Sequence, residues 1–201
     1  MTKSLVLASA SPRRAELLQQ MGVHFSKSPV DLDESVMPGE SPETYVQRLA
    51  QEKALACWQH QLEKVVLGSD TTVVVQNKIF GKPENQQQAF DMLGQLSGQW
   101  HDVLTAVCIV AAGEQGQEAP VLHQAMSQTR VKFKLLTPER IEQYWLTGEP
   151  IGKAGAYAIQ GFGGVLVERI EGSYTGVVGL PVSETESLLA QVGIPCWQKP
   201  L

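Results

Sequence analysis

Two hundred and one residues, 43% of them apolar and 18% charged, suffice for one globular unit with a core and are too few for two ordinary domains. The 16 basic against 21 acidic side chains give a net charge of -5. That balance excludes a protein that coats nucleic-acid polymers, since such binding draws on clustered positive charge, but it leaves room for a small anion gripped by a few local cations.

Ser4 to Ser9 predicts a short buried strand, which runs into a helix capped by Ser11, begun by Pro12 and stopped at Gly22. Its first turn carries Arg13 and Arg14. A strand near Phe25 to Val30 follows, then the acidic run Asp31-Leu32-Asp33-Glu34. Ser41 and Pro42 open a second helix, with Val46, Leu49, Ala50, Lys53, Ala54 and Cys57 at i, i+3, i+4 spacing. Val65 to Val75 predicts one or two central strands, interrupted by Gly68-Ser69-Asp70-Thr71-Thr72 and turning through Gln76-Asn77-Lys78 into Ile79-Phe80. Gly81-Lys82-Pro83 ends that segment. A helix from Asn85 to Leu96 is closed by Gly98.

Val103 to Ala112 predicts a further strand, followed by a turn at Gly113-Glu114-Gln115-Gly116 and a long irregular strand region in which Val131, Phe133 and Leu135 alternate. Thr137-Pro138 starts a helix that ends at Leu146, Gly152 to Pro181 is rich in glycine, and Ser183 to Val192 predicts the last helix. Strands alternating with helices, with hairpins among them, predict an α/β fold with a mixed twisted sheet and flanking helices. The long strand region and the glycine-rich loops suggest two lobes about a central cleft, within a single domain over residues 1–201.

Cys57, Cys108 and Cys196 are odd in number and widely spaced, so free thiols in a reducing compartment are expected rather than a disulfide framework or a zinc site. No apolar run reaches the ~20 residues of a membrane helix, and Leu5 to Ala8 falls short of the ~7–15 residues of a secretory signal core. The expectation is a soluble, cytoplasmic chain with no membrane partner.

None of the common phosphate-binding or catalytic signatures is present: there is no G-x-x-x-x-G-K-[ST], H-E-x-x-H or G-x-S-x-G, and Gly161-Phe162-Gly163-Gly164 does not complete G-x-G-x-x-G. Asp70 is the most informative residue, because it breaks an apolar run. A buried carboxylate requires a cation, a metal or several donors, whether its role is structural or chemical. Arg13 and Arg14 at a helix start combine guanidinium groups with orphan backbone N–H donors, which makes an anion site. Lys53 beside an apolar stripe either snorkels to water or meets a partner. A carboxylate from the Asp31–Glu34 run, paired with Asp70, could hold a hard divalent cation that also contacts phosphates. His24, His60, His101 and His123 show no ligand spacing, and Tyr144-Trp145 reads as packing.

Leu7-Ala8-Ser9-Ala10-Ser11-Pro12-Arg13-Arg14, Asp33-Glu34, Arg48 to Ala54, Gly68-Ser69-Asp70-Thr71, Gly81-Lys82-Pro83, Lys153 to Tyr157 and Val178 to Pro181 occur in an order that resembles the Maf family of nucleoside triphosphate pyrophosphatases. The resemblance implies a Maf/ITPase-like two-lobed fold, often dimeric, that uses a divalent metal such as Mg²⁺ or Mn²⁺ to split a nucleoside triphosphate into the monophosphate and pyrophosphate. Asp70 matches the proton acceptor, and Ser9, Arg13, Arg14, Glu34, Lys53 and Lys82 match polar cleft residues. Glu34 and Asp70 are the expected metal ligands. Arg13, Thr71 and Gln160 match the dTTP/UTP subgroup, although Ser69 stands where that subgroup often has Ala. A house-cleaning role is implied; the alternatives are the 7-methyl-GTP pyrophosphatases and a nucleotide-binding regulator of septum formation.

Overall fold

The computed structural model describes residues 4–113 and 119–199. Among these, β1 (Leu5–Leu7), α1 (Pro12–Gln20), β2 (Phe25–Lys27), α2 (Pro42–Trp58), β3 (Val65–Val75), β4 (Lys78–Phe80), α3 (Gln86–Leu96), β5 (Trp100–Ala111), β6 (Val121–Phe133), α4 (Pro138–Leu146), β7 (Val167–Glu171), α5 (Tyr174–Val178) and α6 (Val182–Gln191) follow in order. The seven strands form one mixed sheet in the order β2-β1-β3-β5-β6-β7, with β4 paired to β3. β1 runs parallel to β2 and β3, and the remaining pairs are antiparallel.

Period-2 alternation distributes β3 between two faces. Val66 and Val74 join Leu104, Cys108 and Val110 of β5 beneath α2, while Val65 and Leu67 pack under α1 and α6 with Val107 and Ile109. Further along the second face, Val73 and Val75 enter a separate core with Val103, Phe133, α3 and α4. Ser69, Thr71 and Thr105 interrupt that face between its two cores. The two lobes therefore share β3 and β5, and the polar interruption marks where they part.

Sequence signals explain most element ends. Ser11, Ser41, Asn85 and Thr137 each accept a backbone N–H three residues on as side-chain N-caps, and Pro occupies the first turn after three of them. Gln76 (φ 48°) and Asn77 (φ 63°) both adopt positive φ, which gives the twist that a two-residue hairpin between β3 and β4 requires. Cys57 and Cys108 are buried free thiols and Cys196 is a partly buried one.

Three expectations change. The region after Ala112 is irregular in the sequence pattern, yet β6 pairs continuously with β5 from Val121 to Lys132. Leu135 does not continue the inward alternation of Val131 and Phe133: β6 ends at Phe133, and beyond it Leu135 is exposed and Leu136 buried. The glycine-rich region contains β7, the short α5 and two 3₁₀ turns, and the last helix starts at Val182 after Pro181 with no side-chain cap. The turn expected at Gly113 to Gly116 lies, from residue 114 on, outside the described residues. Among the described residues no helix is long and apolar enough to cross a membrane.

Gly68 governs the closest approach of helix to sheet. A Cβ there would stand 2.3 Å from Ala50 O and 2.7 Å from Ala54 N, both on α2 backbone. Gly68→Ala is expected to force α2 off β3 and destabilise the protein by about 1–3 kcal/mol or more. Urea unfolding checks this as a lower midpoint with an unchanged slope.

Candidate active site

β3 is eleven residues long and is not covered along its whole length. On one edge β1 pairs with Val65 to Leu67 and β4 with Val73 to Val75, while β5 lines the opposite edge throughout. Among the described residues, Gly68 to Thr72 thus have a strand neighbour on one side only. A cavity of about 700 Å³ opens there, within the range of small-molecule sites. Because the edge is bare, consecutive residues Asp70 and Thr71, on opposite faces of the sheet, both line it.

Lys53 of α2 joins the walls. Its Nζ lies 2.6 Å from Asp70 Oδ1 and 2.6 Å from Glu34 Oε1, and Lys82 Nζ lies 2.6 Å from Glu34 Oε2. Lys53 and Asp70 are buried, each side chain about 10% exposed, whereas Glu34 is half-open and Lys82 open. Lys53 therefore does not snorkel; it is the cation that buried Asp70 requires. The two carboxylates it joins are driven apart in acidity. Burial raises Asp70, against the opposing charges of Lys53 and Arg14. Glu34 is also raised by burial, but its hydrogen bonds from Lys53 and Lys82 outweigh that and bring it down to about 2.

The loop carrying Glu34 has no regular structure and is fastened from α2. Tyr45 donates its hydroxyl to Glu34 O (2.9 Å), and Arg48 binds both carboxylate oxygens of Glu40 and the carbonyl of Ser35.

On the other wall, the strand-to-helix turn delivers Arg14. Its Nε donates to Gly179 O (2.9 Å), Nη1 to Ser9 Oγ (3.1 Å) and Nη2 to Thr71 Oγ1 (3.2 Å). Burial lowers the pKa of both arginines. Arg13 Nε is buried with no hydrogen-bond partner among the described residues, and Glu149 is the charge that most offsets the burial of this guanidinium.

Ser9, Arg13, Arg14, Glu34, Lys53, Asp70, Thr71 and Lys82 all reach this cavity, brought together from five segments of the chain. Gln160 does not line it: the residue is exposed and adjoins the lining Ile159. The wall also contains Lys153, so five cations face Asp31, Glu34 and Asp70, and the chain's net negative charge is locally reversed.

Glu149 is not marked by the sequence pattern, and Tyr144, which reads as packing, also carries hydrogen bonds through its hydroxyl. Glu149 accepts from Tyr144 Oη (2.8 Å), Phe162 N (3.0 Å) and Gly163 N (2.7 Å), and Tyr144 Oη accepts from Ala158 N (3.1 Å). Together they tie the loop containing Gln160 to the end of α4. Gly161 makes this possible, since at φ 123° a Cβ there would coincide with the Glu149 carboxylate. His101 hydrogen-bonds Tyr157 Oη at 2.8 Å, and burial lowers it to about 3, so it is a neutral core residue behind the lining Tyr157.

No group of three or more His, Cys, Asp or Glu residues able to hold a metal occurs among the described residues. Glu34 and Asp70 converge on Lys53 Nζ, and Lys53 and Lys82 engage both Glu34 oxygens, while among the described residues Asp70 hydrogen-bonds through Oδ1. Mg²⁺ binds through one or two carboxylates together with phosphates. Asp70 Oδ2 is thus the oxygen that fits a metal shared with an anionic ligand, and Glu34 would join it by exchanging an ammonium for the metal.

The family model described as Maf-like protein matches residues 4–192. The chain belongs to the Maf family. It is 51% identical to a dTTP/UTP pyrophosphatase of Pseudoalteromonas atlantica, over 94% of this chain and 97% of that protein. It is 48% identical to the protein of the same name from Hahella chejuensis (97% and 95% covered), and 52% identical to that from Methylobacillus flagellatus (94% and 93%). A nucleoside-triphosphatase / dITP/XTP pyrophosphatase from Mycobacterium abscessus superposes with a TM-score of 0.44 at 16% identity, covering 94% of this chain and 97% of that one.

Removing the shared ammonium tests the arrangement. Lys53→Met leaves Asp70 buried without its cation, and a loss of about 3–5 kcal/mol of stability is expected at neutral pH. With Asp70 raised further above its unfolded value, the deficit should be smallest in acid and grow as pH rises through the folded pKa. Urea midpoints of both proteins between acid and neutral pH measure it.

Proposed function

We propose that the chain is a nucleoside triphosphate pyrophosphatase that hydrolyses dTTP and UTP to the monophosphate and pyrophosphate, acting as one catalytic unit over residues 1–201. The observation that carries this reading is Lys53 held between Asp70 and Glu34 in a cavity whose other cations are placed for a polyphosphate. The names of its relatives supply the pyrimidine preference.

In this mechanism water attacks the α-phosphorus and the bond to the bridging oxygen breaks, so pyrophosphate leaves with the electron pair. Asp70 orients the water and accepts its proton, a role favoured by a carboxylate raised above its ordinary value. Arg13, Arg14 and Lys82 meet the charge that grows on the leaving group, and burial strengthens the contacts of the two arginines. Glu34, ionised far below neutrality, and Asp70 would hold Mg²⁺ or Mn²⁺. When bound, the metal supplies charge neutralisation of the triphosphate.

Uracil and thymine present carbonyl acceptors flanking one N–H, and the carboxamide of Gln160, both donor and acceptor, can match that pattern from the loop that Glu149 secures. The reading extends to a cytoplasmic homodimer with a house-cleaning role.

The test is pyrophosphate release from dTTP, UTP and 7-methyl-GTP with Mg²⁺ or Mn²⁺. Preference for the two pyrimidine nucleotides is expected; preference for the methylated purine, or release of orthophosphate alone, overturns it. Asp70→Asn should lower turnover by ~10²–10⁴ while dTTP binding persists. Near-normal turnover in that variant would remove Asp70 from the chemistry.

A further inference from the structure

Thr105 of β5 is paired with Thr71 of β3, is wholly buried and lies outside the cavity wall. Its Oγ1 is 2.8 Å from Gly176 O and 3.0 Å from Thr71 Oγ1. A hydroxyl has one proton to give, and a carbonyl can only accept. Thr105 Oγ1 is the donor toward both oxygens, its single proton lying between the Gly176 carbonyl and Thr71 Oγ1. Thr71 Oγ1 also accepts from Arg14 Nη2. The Thr71 oxygen thus joins Arg14 to Thr105, and Thr105 joins it to Gly176 O.

A second arm closes it. Arg14 Nε donates to Gly179 O, which also accepts from Ser69 Oγ at 3.2 Å. Gly176 lies within α5 and Gly179 is the residue that ends it. Two separate contacts thus bind the Arg14 guanidinium to the same short element, and Thr105 supports the one that passes through the sheet.

We propose that Thr105 is a positioning residue that fixes the Arg14 guanidinium by way of Thr71, whose Oγ1 accepts from both. This rests on the proposed function to the extent that Arg14 faces the substrate.

Thr105→Val keeps the shape and removes the hydroxyl. The expected result is a fall of about 3- to 10-fold in kcat/KM for dTTP, the range of one neutral hydrogen bond. Thr105→Ser, which keeps the hydroxyl, should recover activity to within about twofold. In a cycle with Arg14→Lys the combined loss should be smaller than the product of the single losses, because both changes act on one guanidinium. Independent losses, or a serine variant as poor as the valine one, overturn the proposal. Should Thr105→Val not fold, Thr105→Cys, similar in size and a weaker donor, is read by the same criteria. Wild-type protein that hydrolyses neither dTTP nor UTP would instead defeat the proposed function. The relay is then measured by calorimetric binding of inorganic tripolyphosphate, where Thr105→Val should weaken affinity by a similar factor and unchanged affinity overturns it.

Discussion

One ammonium group serves two carboxylates, and much of the structure can be traced to that requirement. Lys53 arrives from α2, Asp70 from the uncovered edge of β3 and Glu34 from an irregular loop, so three segments with no other common feature meet at one atom. An unpaired charge buried at either Lys53 or Asp70 would be costly, which binds helix to sheet. The close approach allowed by Gly68 brings α2 onto β3, and the Arg48–Glu40 pair, with Tyr45, keeps the Glu34 loop over the site.

The cleft has an equally simple origin in strand lengths. β1 and β4 are each three residues long and cover opposite ends of an eleven-residue β3, and the gap between them is the cavity. A flush partner strand would have closed the edge through which Asp70 and Thr71, on opposite faces of the sheet, both reach the cavity. The same design lets an acidic protein hold an anion: the negative charge is dispersed over the exterior, while Arg13, Arg14, Lys53, Lys82 and Lys153 line the cavity.

How much of this was legible in the sequence follows from the range of each signal. Helix starts at Ser11, Ser41 and Thr137 are local chemistry and were readable, as was the oddity of Asp70 within an apolar run. Whether Lys53 snorkels or pairs depends on a residue seventeen positions away, so the helical stripe left both outcomes open. Glu149 and Thr105 act through partners 13 to 14 and 71 residues distant, and an isolated glutamate or an inward strand threonine carries no mark of that. Leu135 departs from the expected pattern because alternation holds only within a strand, and β6 ends at Phe133. Gln160 was placed in the site by resemblance alone, and in the structure it stands beside the wall rather than on it.

The most direct measurement is a carbon-detected NMR titration of the Glu34 and Asp70 side-chain carboxyls in metal-free protein. The expected result is a Glu34 transition near pH 2, with Asp70 titrating above its ordinary value of 3.8 and therefore well separated from it. Two overlapping transitions at ordinary carboxylate values, or the reverse order, would contradict the shared-ammonium site.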